Sequence, residues 1–411
     1  LSGFAAGIQE RLDALAAISA EPGAITRVYL SPEQARANAL VMGWMREAGM
    51  SARLDAAGNV VGRVEGPEPG GPAFVIGSHL DTVRDAGRYD GPLGVLTGIA
   101  CVAAWLRTDG KPPFAVEVVG FGDEEGTRFQ STLIGSRAFA GTFDSALLAL
   151  TDADGIGLGA ALTAFGLDPA RIGEAARASR DVLGYLELHI EQGPMLEQAG
   201  LPVGAVTAIS GATRLAVTLT GEAGHAGTVA MAGRRDALAG AAECVLAVEA
   251  RCRDEADLVG TVGGIAAYPN AVNVISGEAR FTLDLRAPDD ARRRAALADI
   301  EAAWGAIVRR RGLDLAVRRT HDAQAVPCDP ALTALVEAAI VQEGYRALRL
   351  PSGAGHDGMA IAAIAPIAMI FVRCRGGISH SPAEFAGPTD IEAGARVMLG
   401  TLRGLARTMR A

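Results

Sequence analysis

Cysteine is scarce and scattered: five in 411 residues, at 101, 244, 252, 328 and 374, with no C-x-x-C pair among them. An odd number without close pairs argues against a disulfide framework and against a cysteine-based zinc site, and it fits a reducing cytoplasm. Long apolar runs are missing too. The stretch AIAAIAPIAMIFV is broken by Pro366 and falls short of the roughly 20 residues that span a bilayer, so no membrane partner is expected. Residues 1–19 read as an amphipathic helix carrying Glu10, Arg11 and Asp13 rather than as a signal peptide. Basic excess is absent as well. The formal charge is −9, which argues against nucleic acid as a partner yet permits a small anionic substrate, because charge inside a cleft can oppose the global sign.

What is present is ample apolar content, 49%, in a chain long enough for two domains. Ser31 as N-cap, Pro32 at the first helical position and Gly49 at the end predict a helix over 31–49. Strand-like runs follow (NVVGRVEG, AFVIGSH, FAVEVVGF, YLELHI), with a small-residue helix over about 93–107. This alternation reads as an α/β layer around a buried sheet. From about 211 to 320 the texture changes to strand, helix, strand, strand, helix, strand, the ferredoxin-like α+β order. The first texture then resumes. The expected organisation is a discontinuous catalytic domain, 1–210 and 321–411, interrupted by an inserted domain, 211–320.

The chemistry gathers at strand ends. GSHLDTVRDAGRYDG, residues 77–91, places His79 at the end of a strand, Asp81 two residues on and Asp90 before a helix. In extended chain, positions i and i+2 share a side. Asp81 is therefore expected to take one imidazole nitrogen of His79 and leave the other for a metal. GFGDEEGTRF puts Asp123, Glu124 and Glu125 after FAVEVV, a repulsive cluster unless a cation is near. His189 lies inside the apolar YLELHI, where an unpaired imidazole is costly. His380 lies in CRGGISHSPAEF, in a loop after IAMIFVRC, where α/β sheets build ligand sites. Each has a bland alternative: a turn histidine, an acidic surface turn, a backbone-bonded core histidine. Together they form an imidazole and carboxylate inventory suited to two divalent ions of zinc, manganese or cobalt type, which would activate water and polarise a carbonyl.

With those residues in place, the chain resembles the hydantoinase/carbamoylase family of dinuclear amidohydrolases, within the aminoacylase/carboxypeptidase-type metallopeptidases. The resemblance runs through GSHLDTV, GRYDGPLGVL, DEEGTRF, ELHIEQGPMLE, GHAGTVAMAGRRDAL, PNAVNVISG, SGAGHD and GGISHSPAE. It implies a metallopeptidase-like α/β catalytic domain with an inserted lid and dimerisation domain, and hence a homodimer. It also implies two divalent ions (zinc or manganese, with cobalt or nickel as alternatives), one on His79, His189 and Asp90, the other on Asp90, Glu125 and His380. Glu124 becomes the general base and Asp81 the residue orienting His79. Gln192, His225, Asn273 and Arg286 become substrate contacts, with His225 also aiding the carbonyl oxygen. His356 is expected to line the same cleft, with no role assigned, and His321 reads as a surface residue. The implied reaction is hydrolysis of the terminal carbamoyl group of a carboxylate-bearing ureide, releasing ammonia and carbon dioxide. Allantoate leads as substrate, an N-carbamoyl-L-amino acid (or N-carbamoyl-β-alanine) comes second, and an aminoacylase, dipeptidase or non-catalytic metal binder is more distant. Ser276 departs from the proline often found in its motif; Arg373, Arg375, Thr213 and Arg214 are left without a role.

Overall fold

A computed structural model describes residues 3–409. The chain divides into two compact units. The first is the chain up to Thr207 with Cys328–Leu350 and the chain from Ala354; the second is Ala208–Pro327 with Pro351–Gly353.

The first unit is built on the larger of the chain's sheets. Its body runs, in spatial order, Ser51–Leu54, Val60–Val64, Ala115–Phe121, Ala73–His79, Val182–Ile190, Ile367–Val372 and Val203–Ile209. The four central strands are mutually parallel, while Val60–Val64 and Val203–Ile209 flank them antiparallel. Every residue of Ala73–His79, Ala115–Phe121 and Ile367–Val372 is buried. That explains why these segments read as largely apolar runs rather than as alternating ones. From Ala73–His79 the chain passes to Ala115–Phe121 on one side and then returns to Val182–Ile190 on the other. Such a reversal opens a crevice at the carboxyl ends of the strands.

Helices cover the sheet. Pro32–Glu47 starts on Ser31, whose hydroxyl accepts the Gln34 N–H at 3.1 Å. The helix at 92–108 is apolar over most of its circumference and largely buried, and Pro388–Thr408 packs beside it. The N-terminal helix spans Phe4–Ala16; residues 1 and 2, part of the helix read from the sequence, lie outside the described residues. All five cysteines are free and buried. No described helix is long and apolar enough to cross a membrane.

The second unit has its own core. Five antiparallel strands include Ile265–Tyr268, Glu278–Ala287, Gly211–Thr220 and Asp314–Ala323 in that spatial order, with Val259–Thr261 also paired to Glu278–Ala287. Helices Ala237–Cys252 and Asp290–Arg311 meet the apolar face of this sheet, where Leu215, Val217, Leu219, Phe281, Leu283, Leu285 and Trp304 pack together. The run DLVGTVGGIAAY, whose continuous apolarity alone suggests one strand, is two short strands separated around Gly263 and Gly264. Asp314–Ala323 continues beyond residue 320 because Ala323 still pairs with Ala212, so the unit extends past that boundary.

Candidate metal centre

Four segments deliver the site at one edge of the parallel strands. His79 ends Ala73–His79 and is 1% exposed. The following loop folds back to present Asp90, just before the helix Pro92–Thr108, whose N-terminal dipole favours a carboxylate there. Between them Gly91 sits at φ +80, and a Cβ on it would overlap the His79 ring, so glycine is required twice over. Glu124 and Glu125 follow Ala115–Phe121, and His189 lies in Val182–Ile190. His380 comes from the loop after Ile367–Val372. Asp123, Gln192 and His380 hold φ of 62, 56 and 54, left-handed values that cost non-glycine residues on the order of 1–3 kcal/mol and concentrate at functional sites.

Asp90 is the hub. Its Oδ1 lies 2.9 Å from His189 Nε2 and 3.5 Å from His79 Nε2; its Oδ2 lies 3.2 Å from His380 Nε2. His380 Nε2 in turn is 3.6 Å from Glu125 Oε1. Ligand atoms group as His79, Asp90 and His189; as Asp90, Glu125 and His380; and as His79, Glu124 and Glu125. The five ligand positions named from the sequence thus come together, with Glu124 beside them. The tautomers follow from the acceptors. His189 Nδ1 bonds the Ile190 carbonyl at 2.9 Å and His79 Nδ1 the Asp81 carbonyl at 3.0 Å. A carbonyl only accepts, so both Nδ1 atoms carry hydrogen and both Nε2 atoms face Asp90.

Asp81 requires a correction. Its carboxylate does not take the His79 hydrogen, lying 3.8 Å from Nδ1; its backbone oxygen does. The strand ends at His79, two residues before Asp81, so the extended-chain rule that aligned i with i+2 no longer applies there. The Asp81 carboxylate instead accepts the backbone N–H groups of Glu124 at 3.2 Å and Glu125 at 3.3 Å. It therefore shapes the acidic turn.

Carboxylates crowd this cluster. Burial, reinforced by neighbouring acids, raises Asp123, Glu124 and Asp357 well above the usual carboxylate range, and burial and then Asp90 bring Glu125 to about 7. Asp90 alone goes down despite its burial, because His189, His380 and His79 surround it. Imidazole Nε2 atoms turned toward carboxylate oxygens, within a ring of acids that would otherwise hold protons, are a donor set that fits divalent cations.

The other named residues divide. Gln192 donates through Nε2 to Asp90 Oδ2 at 2.8 Å and lies 3.2 Å from Ser379 Oγ. Its Oε1 is buried without a hydrogen-bond partner. His356 is buried with its ring edge-on to His189, centroids 4.5 Å apart. Arg373 is held bidentately by Asp390, and Arg375 stacks on Phe385. His225, Asn273 and Arg286 belong to the second unit. His225 is exposed, its Nδ1 accepting the Gly227 N–H at 3.1 Å, which leaves the hydrogen on Nε2. Asn273 is next to it, its carbonyl accepting the Ala226 N–H at 3.0 Å. Arg286 places Nε and Nη2 on Asp284 at 2.8 and 3.0 Å and Nη1 on the Gly353 carbonyl at 2.8 Å.

Glu187, Asp357, Ser379 and Glu384 escaped the sequence reading. Only Glu187 left a signal, a carboxylate inside an apolar strand two residues before His189; it accepts from Ser78, Tyr185 and the Gly358 N–H.

A family model described as peptidase family M20/M25/M40 matches residues 75–404. The N-carbamoyl-L-amino acid amidohydrolase of Geobacillus stearothermophilus is 43% identical, over 97% of this chain and 98% of its own length. The allantoate deiminase of Arabidopsis thaliana is 42% identical, over 95% of this chain and 80% of its own length. The crystal structure of an amidase of the hydantoinase/carbamoylase family from Burkholderia multivorans superposes with a TM-score of 0.92 at 36% identity, covering 98% of both chains.

Proposed function

This chain belongs to peptidase family M20/M25/M40, and from that membership we propose an amidohydrolase that cleaves the terminal carbamoyl C–N bond of a carboxylate-bearing ureide, releasing ammonia and carbon dioxide, with allantoate as substrate. It is a hydrolase of C–N bonds other than peptide bonds. The supporting observation is the sharing of Asp90, whose two oxygens face different ligand groups, with Glu124 beside them.

His79, His189 and Asp90 would hold one divalent cation and Asp90, Glu125 and His380 another, zinc or manganese by donor type, supplying Lewis acidity that lowers water's pKa from about 15.7 to near 7 and polarises the carbonyl. Glu124, raised by burial, serves as general base: it takes the proton of the attacking water and returns it to the leaving nitrogen. Asp81 fixes the Glu124 and Glu125 backbone. Gln192 cannot turn its amide without losing its donation to Asp90, so its free Oε1 is presented to a donor. The NH₂ of a carbamoyl group is such a donor. His225 offers Nε2–H to the developing oxyanion, while Arg286 and Asn273 hold the substrate carboxylate. His356 braces His189 from the wall of the cleft.

In this reading the second unit is the lid and the homodimer surface, and its closure expels water before the chemistry. Five free cysteines suit a cytoplasmic location. An N-carbamoyl-L-amino acid is the second reading, favoured by the bacterial relative that is 43% identical. Ammonia release from allantoate, N-carbamoyl-L-amino acids and N-carbamoyl-β-alanine, with and without a chelator, tests the proposal. Allantoate should be hydrolysed fastest and chelation should stop it; no ammonia from any ureide would end the amidohydrolase reading.

A further inference from the structure

Two of the site's loops lie nearly 300 residues apart in sequence, one carrying Asp90 and one carrying His380. A single buried side chain ties them. Glu384 is 5% exposed. Its Oε1 accepts the backbone N–H groups of Tyr89 at 2.8 Å and of Asp90 at 3.1 Å. Its Oε2 lies 2.9 Å from Ser379 Oγ, and that hydroxyl lies 2.7 Å from Asp90 Oδ2. Glu384 therefore grips Asp90 from both ends: directly at the backbone, and through Ser379 at the carboxylate oxygen that faces His380. Room is reserved for it, since a Cβ on Gly87 would overlap the Glu384 carboxyl group.

We propose that Glu384 is a positioning residue that locks the Asp90 loop to the His380 loop, so that the two ligand groups sharing Asp90 are assembled as one unit. This rests on the metal-dependent reading above. A carboxylate that served only to fill space would not divide its oxygens between the backbone of one ligand and the neighbour of another. Without it, the Tyr89 and Asp90 N–H groups lose their acceptor, and Asp90 is free to turn toward one group or the other.

The test is a zinc titration of the full chain against a chromophoric chelator, with thermal unfolding of the metal-free forms measured alongside. Glu384→Ala should weaken zinc binding about 10- to 100-fold, the usual cost of losing a partner that orients a ligand, and should separate two ions bound together into two steps. Glu384→Gln should largely restore both, because its amide oxygen still accepts from Tyr89 and Asp90 and its NH₂ can donate to Ser379. Ser379→Ala, which leaves the backbone grip intact, should weaken binding less than Glu384→Ala. Zinc affinity unchanged in Glu384→Ala, with only the metal-free melting temperature lowered, overturns the positioning role. A glutamine variant as damaged as the alanine variant overturns it as well. If the unsubstituted chain binds no zinc, the metal-dependent reading falls first, and the two failures are thereby distinct.

Discussion

His189 Nε2 and Asp90 Oδ1 face each other at 2.9 Å inside the fold, and the Nδ1 hydrogen of His189 is committed to the Ile190 carbonyl. That nitrogen and the carboxylate oxygen need a positive charge between them, a proton in the metal-free chain or a divalent cation that replaces it. Chelation is therefore expected to lower the melting temperature, and adding back zinc or manganese to restore it. At free metal near 100 times Kd the gain is about 2.7 kcal/mol. A melting temperature indifferent to chelator, with no bound metal by elemental analysis, would remove the centre.

Glu124 stands beside both ligand groups without being needed to link them through Asp90. Glu124→Gln should keep its metal and lose about 100- to 10,000-fold in kcat, the range of a positioned base. Elemental analysis with steady-state kinetics checks both halves; near-normal turnover would assign the base elsewhere.

Proton linkage gives a signed expectation. Burial and then Asp90 raise Glu125 from 4.5 to about 7, and the hydrogen bond to Asp90 raises His380 from 6.5 to about 9. The folded, metal-free chain thus binds more protons than the unfolded one, so its stability falls as pH rises through these intervals. Metal binding displaces those protons and strengthens with pH. The gap in melting temperature between loaded and chelated protein should widen from about pH 5.5 to about pH 8. A constant or narrowing gap would contradict the ligand roles of both residues.

How far the sequence revealed this site depends on how local each cause is. His79, Asp90, Glu125, His189 and His380 were legible because strand ends and apolar runs are local patterns, and an acid or imidazole there stands out. Asp81 was legible as a residue but not in its bonding, since the orientation of a side chain two residues past a strand depends on the turn that follows. Glu384 left no local trace: both of its backbone partners lie at residues 89 and 90, and only the folded chain brings them together. The broken strand near Gly263 was hidden by continuous apolarity on either side, which periodicity alone does not resolve.

Arg286 gives the sharpest test of substrate recognition. Its Nε and Nη2 grip Asp284 and its Nη1 bonds the Gly353 carbonyl, so only one hydrogen on each terminal nitrogen remains to meet a carboxylate. Asp284 is also held by Arg214 at 2.9 Å, so that acid keeps a partner when Arg286 is removed and the strand should remain folded. Arg286→Ala is accordingly expected to raise KM about 10- to 100-fold, as the loss of a charged hydrogen bond of roughly 1.5–3 kcal/mol implies, with kcat less affected. Arg286→Lys should recover little, because an ammonium group cannot grip Asp284 and present a second pair of hydrogens at once. An unchanged KM in the alanine variant would mean that Arg286 serves only to hold Asp284, and the substrate carboxylate would then need another cation.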